Sequence, residues 1–224
     1  MLLFQLIKSL RAASTLKIVC ESDQSVFIQE HQYAAFIGSF GRQQPKDADY
    51  LINSPRNGAG RDKKKTAPLS IIDIHGCQFK PSFYKALEKA IEQKSLSCVS
   101  YLSLVSCAIQ DAEGAILLKA IIHGRQTPNL RAVNLSKNSL GFKFGSGLIA
   151  MLIDAQSNAQ EETMQAVSKA NGKLDKFDSL DHFSLKKIDL EYNKLSHLVI
   201  CTVEKLLSNL CNFKDQAKVH QNFI

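Results

Sequence analysis

Hydrophobic positions along this chain recur four times in one short pattern. The segments LSIIDIHGCQF (69–79), VSYLSLVSCAI (99–109), LRAVNLSKNSL (130–140) and LKKIDLEYNKL (185–195) align without gaps. Each reads Leu or Val, two variable residues, an apolar residue, one variable, Leu or Ile, two variable, Cys or Asn, one variable, and a last apolar residue. The central run alternates apolar and polar, the period of a strand with one buried face. It predicts four strands with Ile72, Ile74, Leu102, Leu104, Val133, Leu135, Ile188 and Leu190 pointing inward. Between strands the apolar spacing changes to that of a helix. PSFYKALEKAIEQK turns Phe83, Leu87, Ala90 and Ile91 to one side, with Pro81 suited to a first helical turn. DAEGAILLKAIIHG turns Leu117, Ala120 and Ile121 inward, between a capping Asp111 and a terminating Gly124. GFKFGSGLIAMLIDA contributes Phe144, Leu148 and Leu152, and SHLVICTVEKLLSNL contributes Val203, Leu206, Leu207 and Leu210.

Three residues past the second inward apolar position stand Cys77, Cys107, Asn138 and Asn193. Side-chain donors there would satisfy backbone carbonyls of the loop leaving each strand, so the two cysteines are expected to be structural rather than nucleophiles or ligands. The whole pattern is the leucine-rich-repeat signature, one strand and one helix per repeat. LSLVSCAIQDAEGAILLKAI and LRAVNLSKNSLG, with their Cys/Asn alternation and long period, resemble the ribonuclease-inhibitor type of that class over residues 69–210. A looser similarity is to centrosomal and basal-body members, which have few repeats and a charged interruption before a later one. The resemblance implies an α/β solenoid, a short horseshoe with parallel strands on the concave face and helices on the convex face. It further implies a non-catalytic protein-binding scaffold, cytoplasmic and in place within a cytoskeletal, centrosomal or ciliary assembly.

The register of the repeats also fixes the residues of the concave face. Outward strand positions are Ile71, Asp73 and His75; Tyr101, Ser103 and Val105; Ala132, Asn134 and Ser136; Lys187, Asp189 and Glu191. In columns, Ile71, Tyr101 and Ala132 form an apolar track ending at Lys187, beside a polar track of Asp73, Ser103, Asn134 and Asp189. Ile71, Asp73, His75, Tyr101, Ser103, Val105, Asn134, Lys187, Asp189 and Glu191 are the expected partner-binding residues. Tyr101 leads them, because an exposed aromatic among aliphatics has the composition of an interface hot spot.

Repeat starts fall at 69, 99, 130 and 185, and the last interval of 55 exceeds one period. The polar, Leu-poor stretch at about 155–183 is therefore expected to be an insertion, partly helical around Glu161 to Lys169. Residues 1–65 lack the repeat and read as an irregular N-terminal capping segment, where LKIVCE and SVFIQE suggest a strand and a short helix, followed by a basic linker at 42–65. The repeat domain is expected over 66–212, with 213–224 as a C-terminal tail that caps poorly.

At 45% hydrophobic and 22% charged, the 224 residues have the composition of a globular chain and exclude one disordered throughout. Six cysteines without a Cys-x-x-Cys pair exclude a disulfide scaffold and a zinc ribbon, and favour a reducing compartment. No run of about 18 apolar residues predicts a membrane span. Residues 1–20 have no acidic residue, carry Lys8, Arg11 and Lys17, and suit a mitochondrial transit segment, the alternative to an amphipathic capping helix.

The net charge is +7, and residues 1–65 hold ten Lys/Arg against six Asp/Glu, so +4 of it sits there. Arg61, Lys63, Lys64 and Lys65 carry the alternative function, electrostatic binding of nucleic acid or an acidic filament. NGAGRDKKKT has the wrong glycine spacing for a phosphate loop, and FGSG (144–147) falls at a helix start. The six histidines form no ligand-spaced pair, no serine sits in a nucleophile elbow, and Asn134-Leu-Ser136, a formal glycosylation acceptor, lies on a predicted strand. No catalysis, cofactor or metal is expected.

Overall fold

Each short apolar alternation becomes a strand, and all the strands join one sheet. In the computed structural model, which describes residues 15–19, 69–94, 96–123, 127–169 and 184–221, these are β1 (Thr15–Val19), β2 (Ile71–His75), β3 (Tyr101–Val105), β4 (Ala132–Asn134) and β5 (Lys187–Asp189). They lie in chain order and pair in parallel throughout. Parallel neighbours need a crossover, and here each of the last four strands is followed by a helix. The helices are α1 (Pro81–Glu92), α2 (Asp111–His123), α3 (Phe142–Lys169) and α4 (His197–Gln221).

Register aligns the inward residues in rows. Leu16, Ile72, Leu102, Val133 and Ile188 stand side by side across the five strands, with Ile18, Ile74 and Leu104 in the next row. These rows and the helix residues Phe83, Leu87, Leu117, Ile121, Phe144, Leu148, Leu152, Val203 and Leu207 belong to one buried cluster. The sheet therefore packs one face on its helices. Full burial of each such side chain contributes roughly 1.5–3 kcal/mol relative to exposure.

Two glycines set how closely the helices approach. A Cβ on Gly114 in α2 would lie 2.7 Å from Leu140 and 2.9 Å from Phe144, and one on Gly145 in α3 would lie 2.8 Å from Val199. The two occupy equivalent places in successive repeats, so the missing side chain of one repeat makes room for the bulk of the next.

The Cys/Asn positions knit the loops together. Asn138 donates from Nδ2 to the carbonyls of Leu104 (2.8 Å), Leu135 (2.9 Å) and Ser136 (3.2 Å), and its Oδ1 accepts from the backbone N–H of Cys107 (2.9 Å) and of Ile109 (3.0 Å). Asn193 repeats the arrangement one unit on, donating to Leu135, Leu190 and Glu191 and accepting from the Leu140 N–H. Cys107 supplies only weak thiol contacts, 3.3 Å to the Val105 carbonyl and 3.6 Å to that of Ile74. Cys77 points in the same direction, to the His75 carbonyl.

Immediately before each ladder residue the backbone turns left-handed, at Gly76 (φ 72°), Ser106 (55°), Lys137 (57°) and Tyr192 (57°). Only the first is a glycine. That turn aims the N–H of Gly76 at the Val105 carbonyl, of Ser106 at that of Ser136, and of Lys137 at that of Glu191. Two non-glycine residues, Ser106 and Lys137, thus hold a conformation that side chains resist, because it completes a hydrogen bond to the neighbouring repeat.

Several expected boundaries differ. Thr15–Val19 adds a fifth strand in register with β2, although the chain after it has Glu21 where the repeats have Cys or Asn. Residues 155–169, expected to open an insertion, continue α3 as one helix, and residues 213–221, expected as a tail, continue α4. Asp111 accepts a hydrogen bond from the Gly141 N–H and so tethers the start of the next helix. The expected short helix at SVFIQE, Gly124, the whole basic linker (42–65) and the rest of the expected insertion lie outside the described residues.

Candidate functional site

The face of the sheet opposite the helices carries the residues expected to meet a partner. Ile71, Asp73, His75, Tyr101, Ala132, Asn134 and Asp189 are half-buried there, and Lys187 and Glu191 are exposed. Register places Ile71, Tyr101, Ala132 and Lys187 in one row, with Thr15 of β1 completing it. The parallel row runs Lys17, Asp73, Ser103, Asn134 and Asp189, so the extra strand sets a lysine directly beside Asp73.

Two of the expected contact residues are not open. Ser103 has no exposed surface and Val105 is only 8% exposed. Both lie on the third of five strands, where Ser103 stands between the longer Asp73 and Asn134, and Val105 beside His75. The Ser103 hydroxyl has no hydrogen-bond partner among the described residues.

The polar row is also committed internally. Asn134 Oδ1 accepts from the Ser136 N–H at 2.9 Å, and Asp189 Oδ1 accepts from the Glu191 N–H at 3.1 Å. Each side chain takes over a backbone donor two residues on, and β4 and β5 accordingly stop there, two residues shorter than β2 and β3. Asp73 makes a different bond, accepting from His75 Nε2 at 2.6 Å. The side chains left to present outward are chiefly Ile71, Tyr101, Lys187 and Glu191.

A second accessible surface lies on the rim where the strands end and the helices begin. Phe142 (77% exposed), Tyr192 (76%) and Leu198 (76%) stand out in water there. Lys137 Nζ sits 5.7 Å from the centroid of the Tyr192 ring, linking adjacent repeats by a cation–π contact. The repeat alignment carried the signal that sequence reading missed: Lys137 and Tyr192 replace Gly76, and Phe142 stands where the first repeat has Pro81. A bulky residue at a left-handed turn is tolerated only with its side chain directed away from the packed loop.

Among the described residues, no group of three or more His, Cys, Asp or Glu is arranged to hold a metal ion, and no helix is long and apolar enough to cross a membrane. The described cysteines are free thiols; Cys201 is exposed, one turn from His197, with Sγ 3.6 Å from its ring. Burial pushes the Cys211 thiol above its ordinary pKa, against a smaller opposing pull from Lys186 and Arg131. The basic residues Arg61, Lys63, Lys64 and Lys65 lie outside the described residues.

No protein-family model matches the chain, and no curated protein does. Among solved structures it is similar to one titled Leiomodin-1 Actin-Binding Site 2, with 12% sequence identity, coverage of 98% of this chain and 93% of that one, and a TM-score of 0.54. At that identity the likeness concerns the fold, an α/β arrangement around a parallel sheet.

Proposed function

We propose that this chain is a short leucine-rich-repeat solenoid acting as a non-catalytic scaffold, which binds a partner protein through the concave side of its sheet. The observation that carries the reading is the disposition of that side. All four helices share their core with the opposite face, while Ile71, Tyr101 and Ala132 form an apolar row ending at exposed Lys187. The ladder cysteines and asparagines are absorbed in loop hydrogen bonds, which leaves the outward strand residues as the variable surface.

The structural neighbour is described as an actin-binding site, and this makes a cytoskeletal protein the first partner to test. A place in a cytoskeletal, centrosomal or ciliary assembly follows from the same reading. Crosslinking the full chain in native material, purifying it and mapping the crosslinked lysines tests it, with co-sedimentation on filamentous actin alongside. The reading expects a single protein partner whose crosslinks fall on Lys17 and Lys187. Crosslinks confined to lysines of the helices would refute it.

A further inference from the structure

The rim of the last two repeats combines exposed apolar bulk with an excess of positive charge. Gly145, in the first turns of α3, abuts Leu195 and Val199 at the start of α4, so the two helix starts lie side by side. The Lys194 N–H donates to the Leu140 carbonyl and ties the preceding loops together. Onto this joint project Phe142, Tyr192 and Leu198. Around them Lys137, Lys143 and Lys194 are exposed.

Neither α3 nor α4 has an acidic residue in its first turn, whereas α2 has Asp111 and Glu113. Among the described residues of this joint, exposed Glu191 and half-buried Asp111, whose carboxylate accepts from the Gly141 N–H beside Phe142, are the acids set against three lysines. The equivalent positions of the first two repeats are Gly76, Pro81 and Ser82, and Ser106, Asp111 and Ala112, none of them a large exposed apolar side chain. The combination belongs to one end of the molecule.

We propose that this rim docks an acidic segment of a partner protein that carries aromatic or aliphatic residues among its carboxylates. Charge complementarity selects such an occupant: the lysines attract carboxylates, and Phe142, Tyr192 and Leu198 offer apolar area that a purely ionic ligand would leave wet. A nucleic acid strand would also meet the lysines, but its apolar groups are limited to base faces and thymine methyls and it has no aliphatic side chains to cover Leu198. The inference rests on the protein-binding reading and gives it a second surface and a partner chemistry.

Panning a phage-displayed random dodecamer library on the full chain tests it. The enriched peptides should combine Asp or Glu with aromatic or aliphatic residues. Their affinity should fall at least tenfold both in Phe142→Ser/Tyr192→Ser/Leu198→Ser and in Lys137→Glu/Lys143→Glu/Lys194→Glu, with thermal melts unchanged. It should be untouched in Ile71→Ser/Tyr101→Ala. Absence of enrichment, enrichment without acidic and apolar bias, or binding that survives the rim substitutions would overturn the proposal. So would tighter binding of a fifteen-residue oligothymidylate than of any enriched peptide. Peptides that bind through Ile71 and Tyr101 would sink the rim and spare the protein-binding reading, whose own failure is read from the crosslinked native partner.

Discussion

Asn138 reaches back thirty-one residues to accept the backbone N–H of Cys107 at 2.9 Å. Its amide meanwhile donates to the Leu104, Leu135 and Ser136 carbonyls, and the Ile109 N–H completes its acceptor. One side chain thus satisfies five backbone groups of two repeats. Asn138→Ala should lower the unfolding free energy by about 3 kcal/mol, the upper range for buried groups left unpaired. Asn138→Cys, which restores the side chain of the first two repeats, should cost less. Urea denaturation checks both, and an alanine cost below that of cysteine would contradict the ladder.

The left-handed turn at Ser106 makes an opposite prediction. Its N–H must point at the Ser136 carbonyl, and a side chain there resists the required φ of 55°. Ser106→Gly should stabilise the protein by up to about 1 kcal/mol and Ser106→Val should destabilise it by more than that, because a β-branched residue tolerates this region worst. Thermal melts of the two variants should move apart in those directions.

Glycines in similar helical settings should respond with opposite sign. Gly114→Ala places a Cβ 2.7 Å from Leu140, next to the fully buried Phe144, and should cost about 1–3 kcal/mol through overpacking. Gly147→Ala meets nothing within 4 Å and should raise stability by roughly 0.8–1.0 kcal/mol, the helix-propensity difference. Equilibrium unfolding of the pair measures the contrast directly.

Repeat register was the legible part. It placed the strands, the inward rows and the ladder correctly, because each depends on side-chain period and on hydrogen-bonding groups that the sequence displays. The first strand was visible as an alternation, but not as a member of the array, since Glu21 breaks the ladder position after it. Enclosure of Ser103 was not legible either, because burial on the outward face depends on the size of neighbours supplied by strands about thirty residues away. Nor does spacing reveal that Asn134 and Asp189 turn their oxygens to their own backbone. The same residue types would read identically if they faced a ligand.

Thiol chemistry gives a pH prediction. Burial raises the Cys211 pKa, so the folded chain holds that proton to higher pH than the unfolded chain, whose thiol titrates near about 8.5. The associated stability is complete below the unfolded value and is lost as pH rises through the folded one, so its effect appears on the alkaline side. Iodoacetamide at neutral pH should alkylate exposed Cys201 well before Cys211, as read by peptide mass mapping. Equal rates would contradict a raised Cys211 pKa.

The central claim is that a partner sits on the open face of the sheet, over Tyr101. Its most direct measurement is the affinity of the crosslinked native partner for Tyr101→Ala and Lys187→Glu. Loss of about 2 kcal/mol for the tyrosine, roughly thirtyfold in Kd, and a weakening for the lysine are the predicted results, with folding intact. Unchanged affinity in both variants would contradict the account.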